Sequence, residues 1–371
     1  MAYFDHSATT PIHNDVLEQI HEIQTKVFGN PSSNHDKGRQ AKSIIEKARD
    51  QVSSAIGASP NQILFTSGGT ESNNQLLYSM IGKAKNHIIT SKIEHPAILE
   101  TLANLKKFGI QYDTISVDNE GTIIFDEIQN FTQHKTGLIS IMLANNEVGT
   151  IQPIKNISEY AKSRDILTHT DAVQCLGKIP IDVKELGVDF LSLSAHKFYG
   201  PKGVGILFAN DPRLLESYIF GGSQEYNLRG GTENTAAIAG MGLAAQITTN
   251  NLDRTKKHLE NLESFFKTQL KNNFPEAKFN ENINSKLPGL ISVSFPKNRS
   301  NILLSKLDRL NFAVSNGSAC GSGIIKPSKI LSAMGVKNDL NLSTIRISFG
   351  TTNTLKEIKS FLAALDSILV K

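Results

Sequence analysis

Three segments of this sequence carry reactive side chains to places where a strand ends. Ser192-Leu193-Ser194-Ala195-His196-Lys197 runs out of an apolar strand and turns at Gly200-Pro201. Lys197 then emerges at a sheet edge, where partial burial can strip an amine of its proton and let it form a Schiff base. Ser67-Gly68-Gly69-Thr70-Glu71-Ser72-Asn73 follows a predicted strand at 63–66 and opens a helix. A glycine turn of this kind offers backbone N–H groups and the positive end of a helix dipole to an anion. Thr70 adds a hydroxyl donor. No Gly-Lys-[Ser/Thr] follows and the spacing is not GxGxxG, so neither a nucleoside triphosphate nor a dinucleotide is implied. Thr168-His169-Thr170-Asp171-Ala172-Val173-Gln174 closes a third strand. Asp171 stands at the carboxyl edge, where open α/β sheets bind ligands. Two readings fit it: a partner for the protonated ring nitrogen of a pyridine cofactor, or a turn-capping aspartate.

The chain has two cysteines in 371 residues, which excludes a disulfide framework. Cys175 lies between Val173 and Leu176 and reads as a core residue. Cys320 lies in Asn316-Gly317-Ser318-Ala319-Cys320-Gly321-Ser322-Gly323, among small and polar residues. That composition predicts an exposed loop, and a thiolate there is a nucleophile. His169 and Asp171 near Cys175 lack structural zinc spacing, so no metal is predicted. The 39 basic residues against 35 acidic ones give a net charge of +4, spread along the chain, and this gives no ground for nucleic-acid or membrane binding. No apolar run approaches a bilayer span, and the N-terminus lacks the basic and apolar regions of a signal peptide, which predicts a cytoplasmic protein.

The elements that must position these groups alternate. Apolar strands are predicted at 63–66, 88–90, 138–142, 190–193 and 205–208. A helix at 43–56 carries Ile44, Ile45, Ala48, Val52, Ala55 and Ile56 on one side. Alternating strands and helices predict an α/β fold with a largely parallel sheet covered by helices. The last third differs. It has a long amphipathic helix from 252 to 270, a strand at 290–295, a helix at 302–309, a strand at 345–349 and a helix at 355–370. The pattern divides the chain into a large domain, 14–252, and a smaller α+β domain, 1–13 with 253–371.

Glycine turn, strand-end aspartate and Ser-x-His-Lys, in that order, resemble the class V, fold-type I pyridoxal-phosphate enzymes, and most of all the cysteine desulfurases of the NifS/IscS type. The resemblance covers essentially the whole chain. It includes Asp5-His6-Ser7-Ala8-Thr9-Thr10-Pro11, Gly29-Asn30-Pro31-Ser32-Ser33, Glu94-His95, Asn145-Asn146-Glu147-Val148-Gly149, Arg229-Gly230-Gly231-Thr232-Glu233-Asn234, Ser318-Ala319-Cys320 and Ile345-Arg346-Ile347-Ser348-Phe349-Gly350. It implies a mostly parallel seven-stranded sheet and the cofactor pyridoxal 5'-phosphate. It implies that Lys197 holds the cofactor and later takes a substrate proton, and that Asp171 keeps the ring nitrogen protonated. Gln174 would bond the phenolic oxygen, and Asn145 would lie along the cofactor edge and orient substrate, or else only shape a turn. His95 would stack on the ring and act as acid and base, or else only start a helix beside Pro96. Gly69, Thr70, Ser194 and His196 would hold the phosphate, with Thr232 reaching it from the neighbouring subunit of a homodimer. Arg346 would clamp the substrate carboxylate, or else only form a structural salt bridge. Cys320 would take sulfur from L-cysteine as a persulfide, leaving L-alanine, and pass it to an iron–sulfur scaffold or a tRNA-thiolation enzyme.

Two features depart from the family pattern. Asn316 replaces a serine or threonine, and the sequence ends directly after its last predicted helix, where housekeeping relatives carry a scaffold-docking tail; this leaves the acceptor open. The loop around Cys320 resembles the long-loop group. A selenocysteine lyase, a small-amino-acid aminotransferase and a non-catalytic sulfur-transfer platform are the other readings of the same residues. An aminotransferase would not need Cys320.

Overall fold

The computed structural model describes residues 1–317 and 326–369. Its centre is a seven-stranded sheet in the order Ile63–Thr66, Gly205–Ala209, Phe190–Ser194, Leu167–Asp171, Thr136–Ser140, His87–Ser91, Gln111–Ile115. Only Gly205–Ala209 runs against its two neighbours; the other adjacent strands pair parallel. Most of these strands are buried end to end, as apolar strands covered on both faces must be. Their carboxyl ends collect Ser194, Asp171 and, just beyond Ser140, Met142 at one edge.

The strand Gln111–Ile115 has no counterpart in the sequence reading. It is an edge strand in which Ile115 alone is buried, so it lacks the apolar run that marks a central strand. The helix predicted at 43–56 begins earlier, spanning Asp36–Ala55. Its first turns are polar, and the His35 side chain caps it by accepting from the Gly38 N–H. The strand predicted at 138–142 spans Thr136–Ser140, but its bonding continues: Ile141 N donates to His169 O and Leu143 N to Asp171 O.

A second sheet pairs Thr344–Ser348, Leu290–Ser294 and Lys278–Phe279 antiparallel. Helices Leu252–Asn273, Ser300–Arg309 and Leu355–Ile368 accompany it. One core cluster, built on Phe4, Phe266, Phe349 and Phe361, draws its buried residues only from positions 2–4 and 259–369. The N-terminal strand Ala2–Tyr3 joins it by pairing with Phe312–Ala313. That pairing leads residues 5–10 directly across the carboxyl edge of the large sheet, which matters for the site. Among the described residues no helix is long and apolar enough to cross a membrane.

Candidate active site

A cavity of about 930 Å³ opens at this edge. Lys197, Asp171, Gln174, Ser194, His196, His95, Gly69, Thr70 and Arg346 all line it. These residues come from five separated stretches of chain, and the topology alone brings them together.

The end suited to an anion is the start of the helix Gly69–Tyr78. Gly68, at its N-cap, has no side chain to accept from the helix's first N–H groups, and its φ of 151° suits glycine. A Cβ on Gly69 would lie 2.6 Å from Val173 Cγ2, so glycine lets the turn approach the sheet edge. Thr70 is exposed there, and Ser194 and His196 face it across the cavity. Burial brings the His196 proton affinity down to about 4, with Lys197 and Lys202 reinforcing the shift, so the ring is neutral.

Asp171 occupies the middle. Asn73 Nδ2 donates to its Oδ2 at 2.7 Å and the Val173 N–H donates to its Oδ1 at 3.0 Å. It therefore shapes its turn and also presents a fixed carboxylate to the cavity. Lys197 follows the strand Phe190–Ser194 by three residues, in a short helical turn. Its Nζ donates to Ser7 O at 2.6 Å and Ala8 O at 2.8 Å. Burial lowers its proton affinity to about 7; Lys178 and Arg346 add to the shift, while Asp171 and Asp5 oppose it. An ordinary lysine at neutral pH is almost wholly charged, whereas this amine is about half free.

His95 caps the helix Pro96–Leu105, its Nδ1 accepting from the Ala97 N–H at 3.1 Å. It starts a helix, as one of the two sequence readings has it, and it also lines the cavity. Because Nδ1 accepts, Nε2 is the nitrogen left to carry a proton. The ring is exposed, but into the cavity, where lost hydration lowers its proton affinity against the pull of Asp171.

Arg346 sits opposite. Its Nη1 donates to Asn146 O at 2.9 Å and its Nη2 to Asp5 Oδ1 at 2.8 Å. Nε is buried and has no partner among the described residues. The guanidinium is thus held at two corners with donors to spare.

Asn145 is the exception. It is fully buried and does not line the cavity. Its Oδ1 accepts from the Glu147 and Val148 N–H groups, and its Nδ2 donates to Ile93 O. These bonds make it a turn former. The cavity residue is its neighbour Asn146. The sequence reading also missed the carbonyls of Ser7 and Ala8 that receive Lys197, although Asp5–Pro11 stood out as a motif. Thr232 is exposed and outside its own chain's cavity. Cys320 lies outside the described residues; Gly317 and Lys326, which flank residues 318–325, both line the cavity. Cys175 is wholly buried in the main core, which pushes its thiol far above the usual range. His169, whose ring nitrogens contact Ser140 and Ser192 hydroxyls, is structural.

The class-V aminotransferase family pattern matches residues 2–361. The chain belongs to this family. It is 43% identical to the cysteine desulfurase IscS of Dictyoglomus turgidum over 373 residues, covering 100% of this chain and 94% of the relative. A solved NifS-like protein superposes with a TM-score of 0.93 at 38% identity, covering 99% of this chain and 98% of that one. A NifS-like protein from Rickettsia africae gives 0.89 at 34%, covering 99% of each. Class-V enzymes use pyridoxal phosphate, and the residues here suit it. An uncapped helix start suits a phosphate, a fixed carboxylate suits a ring nitrogen, and a half-deprotonated lysine suits an aldehyde.

Beside His95, Glu94 is buried in the wall. Ser91 Oγ donates to its Oε1 at 2.5 Å, and the Met142 N–H reaches both oxygens. Burial nonetheless lifts its proton affinity to about 8, with Asp171 adding to the rise. A carboxyl raised in the folded state favours folding most below its unfolded value of 4.5, and that contribution fades as pH climbs toward 8. Glu94→Gln cannot ionise. Its melting temperature is therefore expected to gain on the wild type steadily across that interval. A gap between the two proteins that stays constant with pH would count against a protonated Glu94.

Proposed function

We propose that this chain is a pyridoxal-phosphate-dependent cysteine desulfurase, which converts L-cysteine to L-alanine and takes the sulfur onto Cys320. The observation that carries the reading is the desolvated Lys197 amine, set among Asp171, His95 and an uncapped helix start in one cavity. Gly69, Thr70, Ser194 and His196 would hold the phosphate, Asp171 would serve the ring nitrogen, Gln174 the phenolic oxygen, and His95 the ring. The cofactor, when bound, supplies an electron sink for the pair left at the substrate Cα. Lys197 would hold the cofactor, and its Nζ, once free, would take the substrate's Cα proton. Ser7 O and Ala8 O give that amine a fixed seat. The carbon–sulfur bond breaks, a sulfur–sulfur bond to Cys320 forms, and the substrate methylene becomes a methyl.

Arg346 binds the substrate carboxylate, with Asp5 and the Asn146 carbonyl aiming the guanidinium. Arg346→Ala is expected to raise KM for cysteine by about a hundredfold, as loss of one partner of a desolvated charge pair does. An unchanged KM in steady-state kinetics would remove Arg346 from the substrate site.

The smaller α+β unit, 1–13 with 253–371, brings Arg346, and the Gly317 and Lys326 that flank residues 318–325, to the edge of the large unit, 14–252. Two copies pair so that Thr232 of each serves the other's cofactor. Exposed Phe220, beside Gly230, gives that surface apolar area for a second copy to cover. The persulfide goes to an acceptor protein in the cytoplasm, an iron–sulfur scaffold or a tRNA-thiolation enzyme.

The test is one incubation of purified protein with pyridoxal phosphate and L-cysteine, quantifying alanine and locating added sulfur by mass spectrometry. Alanine with one extra sulfur on Cys320 supports the reading. A cofactor spectrum with neither product refutes it for this substrate.

A further inference from the structure

Lys178 is a buried lysine that no step above uses. It follows the turn after Asp171, at the back of the cavity wall, and is 8% exposed. Its Nζ donates to Gln174 Oε1 at 3.3 Å, the one bond of this ammonium among the described residues. Gln174 in turn donates through Nε2 to Ser7 O at 3.0 Å. Ser7 O also receives Lys197 Nζ at 2.6 Å. The four groups form one line: Lys178 to Gln174 to the Ser7 carbonyl, and Lys197 to the same carbonyl.

Two consequences follow from the chemistry of these groups. An ammonium only donates, so it selects the oxygen of the Gln174 amide and turns the NH₂ toward Ser7 and the cavity. An ammonium behind that amide also makes a second positive charge at Lys197 costly. Burying a charged amine against one neutral acceptor is itself unfavourable. An apolar residue of similar length would relieve that cost, so the arrangement is not explained by stability.

We propose that Lys178 is a positioning residue for the cavity: it fixes the face that Gln174 presents and supplies the positive charge that keeps the Lys197 amine free to react. The charged neighbours of Lys197 act in both directions. Arg346 joins Lys178 in disfavouring its proton, Asp171 and Asp5 favour it, and His196 and His95 are largely neutral. Lys178 itself is lowered by burial to about 8, so it keeps its charge at neutral pH. The catalytic meaning of the inference rests on Lys197 as cofactor anchor; the titration of the amine does not.

The experiment acetylates the full chain, freed of cofactor, with acetic anhydride over a range of pH, and reads Lys197 by mass spectrometry. The wild-type midpoint is expected at about 7. In Lys178→Met it moves up by about one pH unit, the low end of the effect of a like charge nearby. In Lys178→Arg, which keeps the charge, it stays near the wild type. Melting of Lys178→Met is expected at or above the wild-type temperature. Lys178→Gln, neutral but still a donor, gives the same midpoint test if Lys178→Met does not fold. A midpoint that stays put in the neutral variants overturns the inference. Borohydride trapping of pyridoxal phosphate on the wild-type chain keeps the two claims apart. An adduct on Lys197 supports the anchor reading, and an adduct elsewhere overturns that reading whatever Lys178 does.

Discussion

Lys197→Ala is expected to lower alanine release by at least about a thousandfold, the scale on which enzymes lose turnover when a positioned base is deleted. Two functions go with the one amine. In the proposed reaction it would hold the cofactor in register and, once displaced, would take the substrate's Cα proton. The structure explains why the base is competent near neutrality: burial, Lys178 and Arg346 together bring its proton affinity to about 7. The sign of the pH dependence follows. Below about 7 the amine is increasingly protonated and cannot accept a proton, so activity that depends on it falls on the acid side. Lys197→Ala leaves Ala8 O without its donor while Ser7 O keeps Gln174 Nε2, and both are carbonyls beside an open cavity that water can reach, so the fold should persist. Alanine quantified under saturating cysteine decides the matter. Turnover within tenfold of the wild type would remove Lys197 from its assigned role.

How much of this was readable beforehand depended on distance along the chain and on chemistry at strand ends. Lys197 and Gly69 each follow an apolar run by a few residues and Asp171 closes a strand, so a strand followed by a turn places them without tertiary knowledge. The choice between Asn145 and Asn146 was not available. Two identical adjacent residues differ only in which way the backbone turns them, and the turn sends Asn145 inward to Ile93 while Asn146 meets the cavity. The aiming of Arg346 by Asp5 spans 341 residues and depends on the strand Ala2–Tyr3 pairing with Phe312–Ala313, a contact no local pattern announces. The line from Lys178 to Ser7 was hidden for the same reason. Ser7 O becomes a shared acceptor only when the N-terminal segment crosses the sheet edge.

Cys320→Ser is expected to abolish sulfur capture and to cut alanine release to below about a hundredth of the wild type, because a hydroxyl keeps the size of a thiol but not its nucleophilicity at neutral pH. The chain has only two cysteines, so only two sites could carry a cysteine persulfide. The structure disposes of one. Cys175 lies in the main core with no exposed surface, and burial holds its thiol protonated across the working pH range. Cys320 lies outside the described residues, yet Gly317 before it and Lys326 after it both line the cavity that holds Lys197 and Arg346. The contrast between the two substitutions is therefore sharp. Cys175→Ala should keep turnover within about twofold and leave the added sulfur on Cys320, its cost falling on stability as lost core packing. Cys320→Ser should still change the cofactor's absorption when cysteine is added, because Lys197, Asp171 and Arg346 are intact, while mass spectrometry finds no sulfur on the chain. Extra sulfur on Cys175 would overturn the assignment of the nucleophile. Full alanine release from Cys320→Ser would mean that sulfur leaves the substrate without passing through the protein, and that the reaction is not a persulfide-forming desulfuration.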